Sequence, residues 1–299
     1  MSFEQELEQK IKSNVKMNEP MSLHTSWQVG GPADYFVCPD NISEIVEIVR
    51  LSAKYNIPLY IIGNGSNLLV LDGGIRGLVI NIGQSFCYIN RIEKGLIAGA
   101  GTAMTMLAKT AVEYGLTGIE FAVGIPGSLG GAVIMNAGAF GGYIGEQVKS
   151  VKVIAPDGEV KILSNDELVF GYRTSSLVGK GIVIEIELEL AIGDKEQSRS
   201  QMEHFLSERR RRHPSLPSCG SVFRNLPGNP AGQLIENAGG KGLRIGGAEV
   251  STQHANFIVN TGTATAADIL ATIDSVKKLV KEKYNIELRP EVKIIGEED

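Results

Sequence analysis

Cysteine and histidine are scarce in this sequence, with three and four copies in 299 residues. The cysteines (Cys38, Cys87 and Cys219) are odd in number and widely spaced, which predicts reduced thiols and not a disulfide framework. The histidines are scattered, and no histidine or cysteine spacing matches a set of metal ligands. We therefore predict an intracellular protein without a metal site.

The chain also lacks an excess of positive charge and a long apolar run. Its formal net charge is −5, which disfavours a nucleic-acid partner. No stretch approaches the roughly 18 apolar residues of a membrane span. The opening MSFEQELEQKIKS lacks the cationic-then-apolar order of a signal peptide. These absences predict a cytoplasmic protein that neither binds nucleic acid nor inserts into a membrane.

Glycine, in contrast, is abundant. Three glycine-rich segments stand out: GNGSN (63–67), GAGT (99–102) and AVGIPGSLGGAVIMNAGAFG (122–141). None completes G-x-G-x-x-G, so a Rossmann-type site is unsupported. Successive backbone N–H groups in such turns can bind anions, and a helix beginning after Gly127 and Ser128 would direct its N–H groups at a ligand. The segments are interpreted as a surface for a pyrophosphate and a flat ring, or as tight turns that bind nothing.

The order of the predicted elements indicates an α+β fold. Helices are predicted at 41–55, 102–115 (with Thr102 near its cap), 193–214 and about 268–284. Strands are predicted at 58–63, 68–72, 78–82, 86–90, 95–100, 181–190 and 286–295, with a hairpin around Pro156–Gly158. Because the composition becomes polar at residue 193, we predict a domain boundary there.

Eight segments, in the same chain order, resemble the UDP-N-acetylenolpyruvoylglucosamine reductase (MurB) family. They are GNGSN, GAGT, GIPGSLGGAVIMNAG, GYRTSSL (171–177), SCGSVFRN (218–225), GQLIENAGGKG (232–242), HANFIVN (254–260) and LRPEV (288–292). The similarity spans about 22–296. It implies an FAD-binding half of the vanillyl-alcohol-oxidase (PCMH) type at 1–193, with subdomains of about 1–75 and 76–193. A smaller α+β substrate-binding domain, 194–299, would follow and carry Glu291 on its C-terminal strand.

The resemblance also implies the reaction. NADPH would reduce FAD, and the flavin would reduce UDP-N-acetylglucosamine enolpyruvate to UDP-N-acetylmuramate. This step belongs to peptidoglycan precursor synthesis, and so to cell wall biogenesis, cell shape and cell division. The expected partners are the two small-molecule substrates, and a monomer is favoured.

Three groups of site residues are carried over from the resemblance. The catalytic residues would be Arg173, Ser221 and Glu291: the cation for the substrate carboxylate, the proton donor, and a partly protonated hydrogen-bond donor to the developing enol. The FAD-binding residues would be Gly63, Asn64, Gly65, Ser66, Asn67, Gly101, Thr102, Gly124, Pro126, Gly127, Ser128, Asn136, Ala137 and Gly138. The substrate-binding residues would be Arg224, Asn225 and Tyr143. The simpler interpretations are a surface ion pair for Arg173, a turn residue at Ser221, and pairing of Glu291 with Arg289.

Two features of the sequence bear on how the ligands are held. Some relatives of this flavin fold attach FAD through a histidine in the first turn, whereas residues 66 and 67 here are Ser66 and Asn67. Noncovalent FAD is therefore predicted. No tyrosine lies between residues 174 and 220, so the chain resembles the shorter family type, without the inserted tyrosine loop. The arginines Arg209–Arg212 are interpreted either as cations at a helix end or as cover for the UDP group.

Two other functions stay open at this point. One is a different FAD-dependent oxidoreductase of the same fold, acting on an alcohol or a sugar lactone. The other is a nonenzymatic protein that binds a nucleotide sugar. A catalytic base beside the flavin would favour the first, and the absence of bound FAD would favour the second.

Overall fold

The computed structural model describes residues 2–298, which form two compact units. The first contains the residues up to Met17 together with Tyr35–Asn64 and Gly77–Glu208. The second contains Asn18–Asp34, Gly65–Arg76 and the residues from Arg209 onward. Each unit has its own hydrophobic core.

Single helices and runs of strands follow one another along the described residues. The helices are α1 Phe3–Lys10, α2 Ile42–Tyr55, α3 Met104–Glu113, α4 Leu129–Ile134, α5 Lys195–Arg212, α6 Ala231–Asn237 and α7 Ala266–Tyr284. The first ten strands are β1 Val15–Pro20, β2 Pro32–Val37, β3 Leu59–Ile62, β4 Leu68–Val70, β5 Ile75–Asn81, β6 Ile89–Ile92, β7 Gly95–Gly99, β8 Leu116–Thr117, β9 Gly138–Ala139 and β10 Gly142–Tyr143. The remaining strands are β11 Val148–Ile154, β12 Val160–Ser164, β13 Phe170–Gly171, β14 Thr174–Ser175, β15 Ile182–Glu189, β16 Ala191–Ile192, β17 Arg244–Ile245, β18 Ala248–Val250, β19 Ile258–Asn260 and β20 Lys293–Ile295.

The four long predicted helices are confirmed, and their ends follow ordinary capping chemistry. The Asn41 side chain accepts a hydrogen bond from the Glu44 N–H at the start of α2. Thr265 and Asp268 form a reciprocal capping box at the start of α7. Helix α3 begins two residues later than predicted, because the Thr102 hydroxyl donates to the Tyr88 carbonyl and does not cap the helix.

Two predicted strands begin several residues too early. In FCYIN (86–90), Phe86 ends a 3-10 turn and is buried in the first core, so the strand begins only at Ile89. The closing strand covers Lys293–Ile295 and not 286–295. Pro290 has no N–H to donate, and it forms an isolated antiparallel bridge with Phe223 in place of a continuous ladder.

The first unit is built on a five-stranded antiparallel sheet in the order β12-β11-β15-β7-β6. The predicted hairpin at Pro156–Gly158 joins β11 to β12, and Gly158 adopts a left-handed φ of +82° in its turn. Strands β3 and β5 pair in parallel. The two strands β3 and β7 each lead into a glycine-rich turn that was predicted as a cofactor site.

The second unit contains the antiparallel sheet β17-β18-β19, against which α7 packs. Strands β4 and β20 pair in parallel. Trp27 is fully buried here, and its indole N–H donates to the Ile258 carbonyl at 2.7 Å. The segment around Trp27 is thereby tied to β19.

The predicted boundary near residue 193 lies within the stretch Gly77–Glu208 of the first unit. The division by function, an FAD-binding part to residue 193 and a substrate-binding part beyond it, stays a prediction. Within residues 2–298, no helix combines the length and the apolar run needed to cross a bilayer.

Candidate active site

In the first unit, the start of the first predicted glycine turn (residues 63 and 64) lies beside the other two turns. A Cβ atom on Gly63 would lie 2.1 Å from Ser128 Oγ, so the first turn contacts the start of α4 directly. The Leu129 N–H donates to the Thr102 carbonyl at 2.8 Å, which joins the second turn to the third. The three glycine-rich segments, which are far apart in sequence, therefore meet around the start of α4.

Glycine is required within this cluster because other atoms approach the glycine backbone closely. A Cβ atom on Gly101 would lie 2.1 Å from the Gly83 carbonyl oxygen, and one on Gly130 would lie 2.9 Å from Ala100 Cβ. Any side chain at these positions would push the turns apart. The packing therefore accounts for part of the glycine content without a ligand.

The first turn also has an array of hydrogen-bond donors. Within residues 2–298, the backbone N–H groups of Asn64, Gly65 and Ser66 donate no hydrogen bond to another protein atom. Gly65 adopts a left-handed φ of +59°, a conformation that turns successive N–H groups toward one side and creates an anion-binding concavity. This donor set fits a pyrophosphate, as FAD binding requires.

A histidine does approach this turn, but its ring is engaged elsewhere. A Cβ atom on Gly65 would lie 1.9 Å from the His24 carbonyl oxygen. His24 Nε2 lies 2.8 Å from Glu19 Oε1. The contact between His24 and the turn is made by the His24 backbone and not by its ring. This arrangement agrees with noncovalent FAD, which stays a prediction.

Asn67, at the end of the same turn, contacts the segment that carries Glu291. Its side-chain Nδ2 donates to the Glu291 carbonyl at 3.2 Å, and its own carbonyl accepts from the Lys293 N–H at 3.0 Å. The turn predicted to bind the cofactor and the predicted catalytic glutamate therefore share a backbone connection.

Glu291 is in turn joined to the loop that carries Ser221. The Glu291 N–H donates to the Val222 carbonyl at 2.7 Å, and the Arg224 N–H donates to the Arg289 carbonyl at 3.0 Å. Both Ser221 and Glu291 are half-buried. The structure thus brings together two predicted catalytic residues that are 70 positions apart in the sequence.

Cys219, two residues before Ser221, is not suited to act as a nucleophile. Burial raises the pKa of its thiol, and the Glu291 carboxylate raises that pKa further. Because the thiolate is the reactive form, the thiol stays protonated and inert at neutral pH.

Arg173 belongs to the first unit and lies at the tip of the short hairpin β13–β14. Its backbone is left-handed, with a φ of +56°, which is rare for a bulky side chain and marks a position held by its surroundings. The Arg173 Nη1 donates to the Gly138 carbonyl at 3.2 Å. Asn136 Nδ2 donates to the Gly171 carbonyl at 3.0 Å and anchors the hairpin. Arg173 is therefore fixed against the predicted flavin-lining stretch.

A cavity of about 340 Å³ lies beside this hairpin in the first unit. It is lined by Asn136, Tyr143, Gly145, Glu146, Phe170, Gly171 and Tyr172. Tyr143, predicted to bind substrate, is among these residues. Glu146, Phe170 and Tyr172 were not predicted, because aromatic and acidic residues in loops carry no distinctive spacing in the sequence.

The four arginines Arg209–Arg212 end helix α5, as their pattern predicted. The side chain of Gln253 donates to the Arg211 carbonyl at 3.0 Å and so satisfies a carbonyl group at the helix end. Burial lowers the pKa of His213 to about 4, and the charges of Arg209, His254 and Arg212 lower it as well. This end of the helix is strongly cationic, but its role toward UDP stays a prediction.

The remaining predicted residues take these positions. Gly124 has a left-handed φ of +74° and donates its N–H to Thr105 Oγ1 at 2.9 Å. Pro126 is exposed, and the Ala137 carbonyl accepts from the Ile144 N–H. In the second unit, Asn225 Oδ1 accepts from the Ala231 N–H at the start of α6, and Arg224 is half-buried.

Two family models match the chain. One, described as the C-terminal domain of UDP-N-acetylenolpyruvoylglucosamine reductase, covers residues 212–295, and one described as an FAD binding domain covers residues 33–164. The UDP-N-acetylenolpyruvoylglucosamine reductase of Heliobacterium modesticaldum is 50% identical over 93% of this chain and 90% of its own length. The chain belongs to the UDP-N-acetylenolpyruvoylglucosamine reductase family.

Other members of the family support the same assignment. The reductase of Bacillus subtilis is 44% identical over 98% of this chain and 97% of its own length. The crystal structure of the MurB reductase from Thermus caldophilus superposes with a TM-score of 0.82 at 36% identity, covering 95% of this chain and 99% of that one. The predicted family, the α+β fold class with an FAD-binding part of the PCMH type, the FAD cofactor and the oxidoreductase class are confirmed.

Proposed function

We propose that this chain reduces the enolpyruvyl ether of UDP-N-acetylglucosamine enolpyruvate, using NADPH and FAD, to give UDP-N-acetylmuramate for peptidoglycan synthesis. The observation that supports this proposal most directly is the backbone connection of Asn67, Glu291 and Val222. This connection joins the predicted cofactor turn, through Asn67, to the segments that carry the Ser221 hydroxyl and the Glu291 carboxyl group. Such a pair suits a reaction that ends in protonation of carbon.

FAD, when bound, would supply the hydride-transfer chemistry between NADPH and the enolpyruvyl group. The residues that would hold it are the N–H groups of Asn64–Ser66 for the pyrophosphate and the stretch 124–138 for the ring system. The close contacts at Gly63, Gly101 and Gly130 keep these turns free of side chains.

Arg173 would bind the carboxylate of the enolpyruvyl group. Hydride addition places negative charge on the carbon beside that carboxylate, and an enolate-like species must be stabilised. A guanidinium presents a planar fork that matches a carboxylate. The left-handed backbone of Arg173 and its bond to the Gly138 carbonyl hold this fork in one place before substrate binds.

Ser221 would donate the proton to the carbon, while Glu291 would donate a hydrogen bond to the developing enol. A serine hydroxyl is a weak acid, so the accepting carbon must be strongly basic when transfer occurs. Both side chains can reach the substrate together only if the segment that carries Ser221 and the segment that carries Glu291 stay aligned in one register. The hydrogen bond between the Glu291 N–H and the Val222 carbonyl maintains it.

Arg224, Asn225 and Tyr143 would contact the UDP-sugar, with the cationic end of α5 as a further candidate for its phosphates. We propose a monomer that acts in the cytoplasm, as expected of an enzyme that consumes NADPH.

The competing function is oxidation of an alcohol or a sugar lactone by the same cofactor. It would need a base in place of the donors Ser221 and Glu291.

One experiment tests the proposed function. The purified yellow protein is mixed with NADPH without oxygen, and UDP-N-acetylglucosamine enolpyruvate is added afterwards. We expect NADPH to bleach the flavin absorbance and the enolpyruvyl substrate to restore it, with UDP-N-acetylmuramate as product. A flavin that NADPH does not bleach, or that the enolpyruvyl substrate does not reoxidise, would favour the other oxidoreductase.

Acid precipitation is expected to release all the flavin into the supernatant. The side chains of the first turn, Asn64, Ser66 and Asn67, form no stable bond to a flavin ring, and the His24 ring is paired with Glu19. Absorbance of the supernatant and of the washed, redissolved pellet measures the two fractions. Yellow colour that stays with the pellet would show a covalent link.

NADPH and the enolpyruvyl substrate are expected to exclude each other, since the sequence contains no second nucleotide-binding motif. Initial rates should give parallel lines in double-reciprocal plots, and each substrate should inhibit at high concentration. Equilibrium dialysis of the oxidised enzyme with labelled NADP⁺ and unlabelled UDP-N-acetylmuramate checks this directly. Simultaneous binding of both products would argue against one shared site.

A further inference from the structure

The motif HANFIVN (254–260) has no role in the mechanism above. Its first asparagine, however, contacts the loop that carries Ser221 (residues 218–225), called the Ser221 loop below. Asn256 is only 2% exposed. A buried amide requires partners for its donor and acceptor groups. The partners of its side-chain amide both belong to Phe223, and its backbone carbonyl is bound by Val222.

Asn256 holds this pair by three hydrogen bonds. Its Oδ1 accepts from the Phe223 N–H at 2.9 Å, and its Nδ2 donates to the Phe223 carbonyl at 2.8 Å. Its backbone carbonyl accepts from the Val222 N–H at 2.8 Å. The side chain thus acts as a one-residue strand partner for the residues that follow Ser221.

The opposite edge of the same loop is bound by the segment that carries Glu291. The Val222 carbonyl accepts from the Glu291 N–H, and the neighbouring residue Phe223 bridges Pro290. Val222 and Phe223 are also buried in the second core. The backbone after Ser221 is therefore restrained on both sides, by Asn256 and by the 289–291 segment.

We propose that Asn256 is a positioning residue for proton transfer: its side-chain amide sets the register of the Ser221 loop against Glu291. This inference rests on the proposed roles of Ser221 and Glu291. Asn256 would not touch the substrate. A displacement of about 1 Å can reduce a catalytic rate by about 10²-fold, so a small error in this register would slow protonation while the remote parts of the enzyme still function.

The variant Asn256→Asp tests the inference with the least change in shape. One carboxylate oxygen still accepts from the Phe223 N–H, but the other replaces a donor and faces the Phe223 carbonyl oxygen, at a site where the original contact is 2.8 Å. Stopped-flow absorbance follows both half-reactions. We expect reoxidation by the enolpyruvyl substrate to slow about 10- to 100-fold, and reduction by NADPH to change less than about threefold.

The pH dependence gives a second readout. A protonated carboxyl group can donate to the Phe223 carbonyl as the amide does. The rate of reoxidation of Asn256→Asp relative to the unmodified protein should therefore rise as the pH is lowered from about 8 to about 6, since burial favours the neutral acid. A ratio that stays constant over this range would overturn the role assigned to the Nδ2 donor.

Asn260 provides a matched control, because it is buried in the same motif and uses its side chain in the same way. Its Nδ2 donates to the Trp27 carbonyl at 2.9 Å, and its Oδ1 accepts from the Gly262 N–H at 2.8 Å. Asn260→Asp removes an equivalent donor whose partner, Trp27, lies outside the Ser221 loop. We expect it to lower the melting temperature and to leave the ratio of the two half-reaction rates unchanged.

The outcomes separate the inference from the function on which it rests. If Asn256→Asp and Asn260→Asp change both half-reactions equally, Asn256 is only structural and the inference fails. If Ser221→Ala itself reoxidises normally, the proposed proton donor is wrong and the inference falls with it. Should Asn256→Asp not retain FAD, Asn256→Gln keeps the amide on a longer stem and is measured in the same way, with the same selective loss of reoxidation expected.

Discussion

Ser221→Ala is expected to slow reoxidation of the reduced flavin by the enolpyruvyl substrate about 10²- to 10⁴-fold, the range typical of general acid catalysis and equivalent to roughly 3–5 kcal/mol of barrier. Reduction by NADPH should stay nearly unchanged, because hydride transfer to the flavin needs no proton from this hydroxyl. Ser221→Cys should recover part of the rate, since a thiol can also donate a proton.

Stopped-flow absorbance of the flavin measures the two half-reactions separately for each variant. Ser251→Ala is the matched control: Ser251 is buried in the same unit, and its hydroxyl accepts hydrogen bonds from Gln253 and His254 in a turn. It should lower stability without a selective effect on reoxidation. Reoxidation of Ser221→Ala at the normal rate, with normal product, would remove Ser221 from the mechanism.

Glu291→Ala is expected to slow the same half-reaction about 10²- to 10³-fold, as found when one donor to a developing oxyanion is removed. Glu291→Gln should retain more activity, because its amide still donates a hydrogen bond. The backbone of the residue is held by the Val222 carbonyl and the Asn67 side chain. The substitutions should therefore leave the segment in place.

Glu287→Gln serves as the comparison, since Glu287 is exposed on the same segment. It should reoxidise at the normal rate. If Glu291→Gln proved as slow as Glu291→Ala, the carboxylate would be needed in its charged form, and the role of hydrogen-bond donor would be wrong. Single-turnover measurements at several pH values distinguish these cases.

The sequence predicts local features of this protein well and distant pairings poorly. The N-cap of α2 and the hairpin at Pro156–Gly158 follow from residue types a few positions apart. The closing strand was predicted to begin at residue 286, but it covers only Lys293–Ile295, because Pro290 has no N–H for a continuous ladder. FCYIN was predicted as a strand from its composition, although Phe86 is held in a 3-10 turn by its burial in the core.

The candidate site shows the same limit. Ser221 and Glu291 were assigned from motifs, but the hydrogen bond that joins their segments depends on tertiary pairing and leaves no periodic signal. Asn256 was visible only as part of a matching motif, because an asparagine between Ala255 and Phe257 has no distinctive local pattern. The left-handed backbone of Arg173 was equally hidden, since arginine has no preference for that conformation.

The parallel pair β4–β20 has a consequence for the order in which the chain folds during its synthesis. Leu68–Val70 is made early, but its partner strand Lys293–Ile295 is made more than 200 residues later. In the same way, Trp27 is made long before Ile258, whose carbonyl accepts the hydrogen bond from the Trp27 indole. The first unit ends at Glu208 and can fold while translation continues, whereas the early apolar segments of the second unit lack their later partners until the residues from Arg209 onward have been made. Prematurely terminated chains would therefore expose those segments and become substrates for chaperones and proteases.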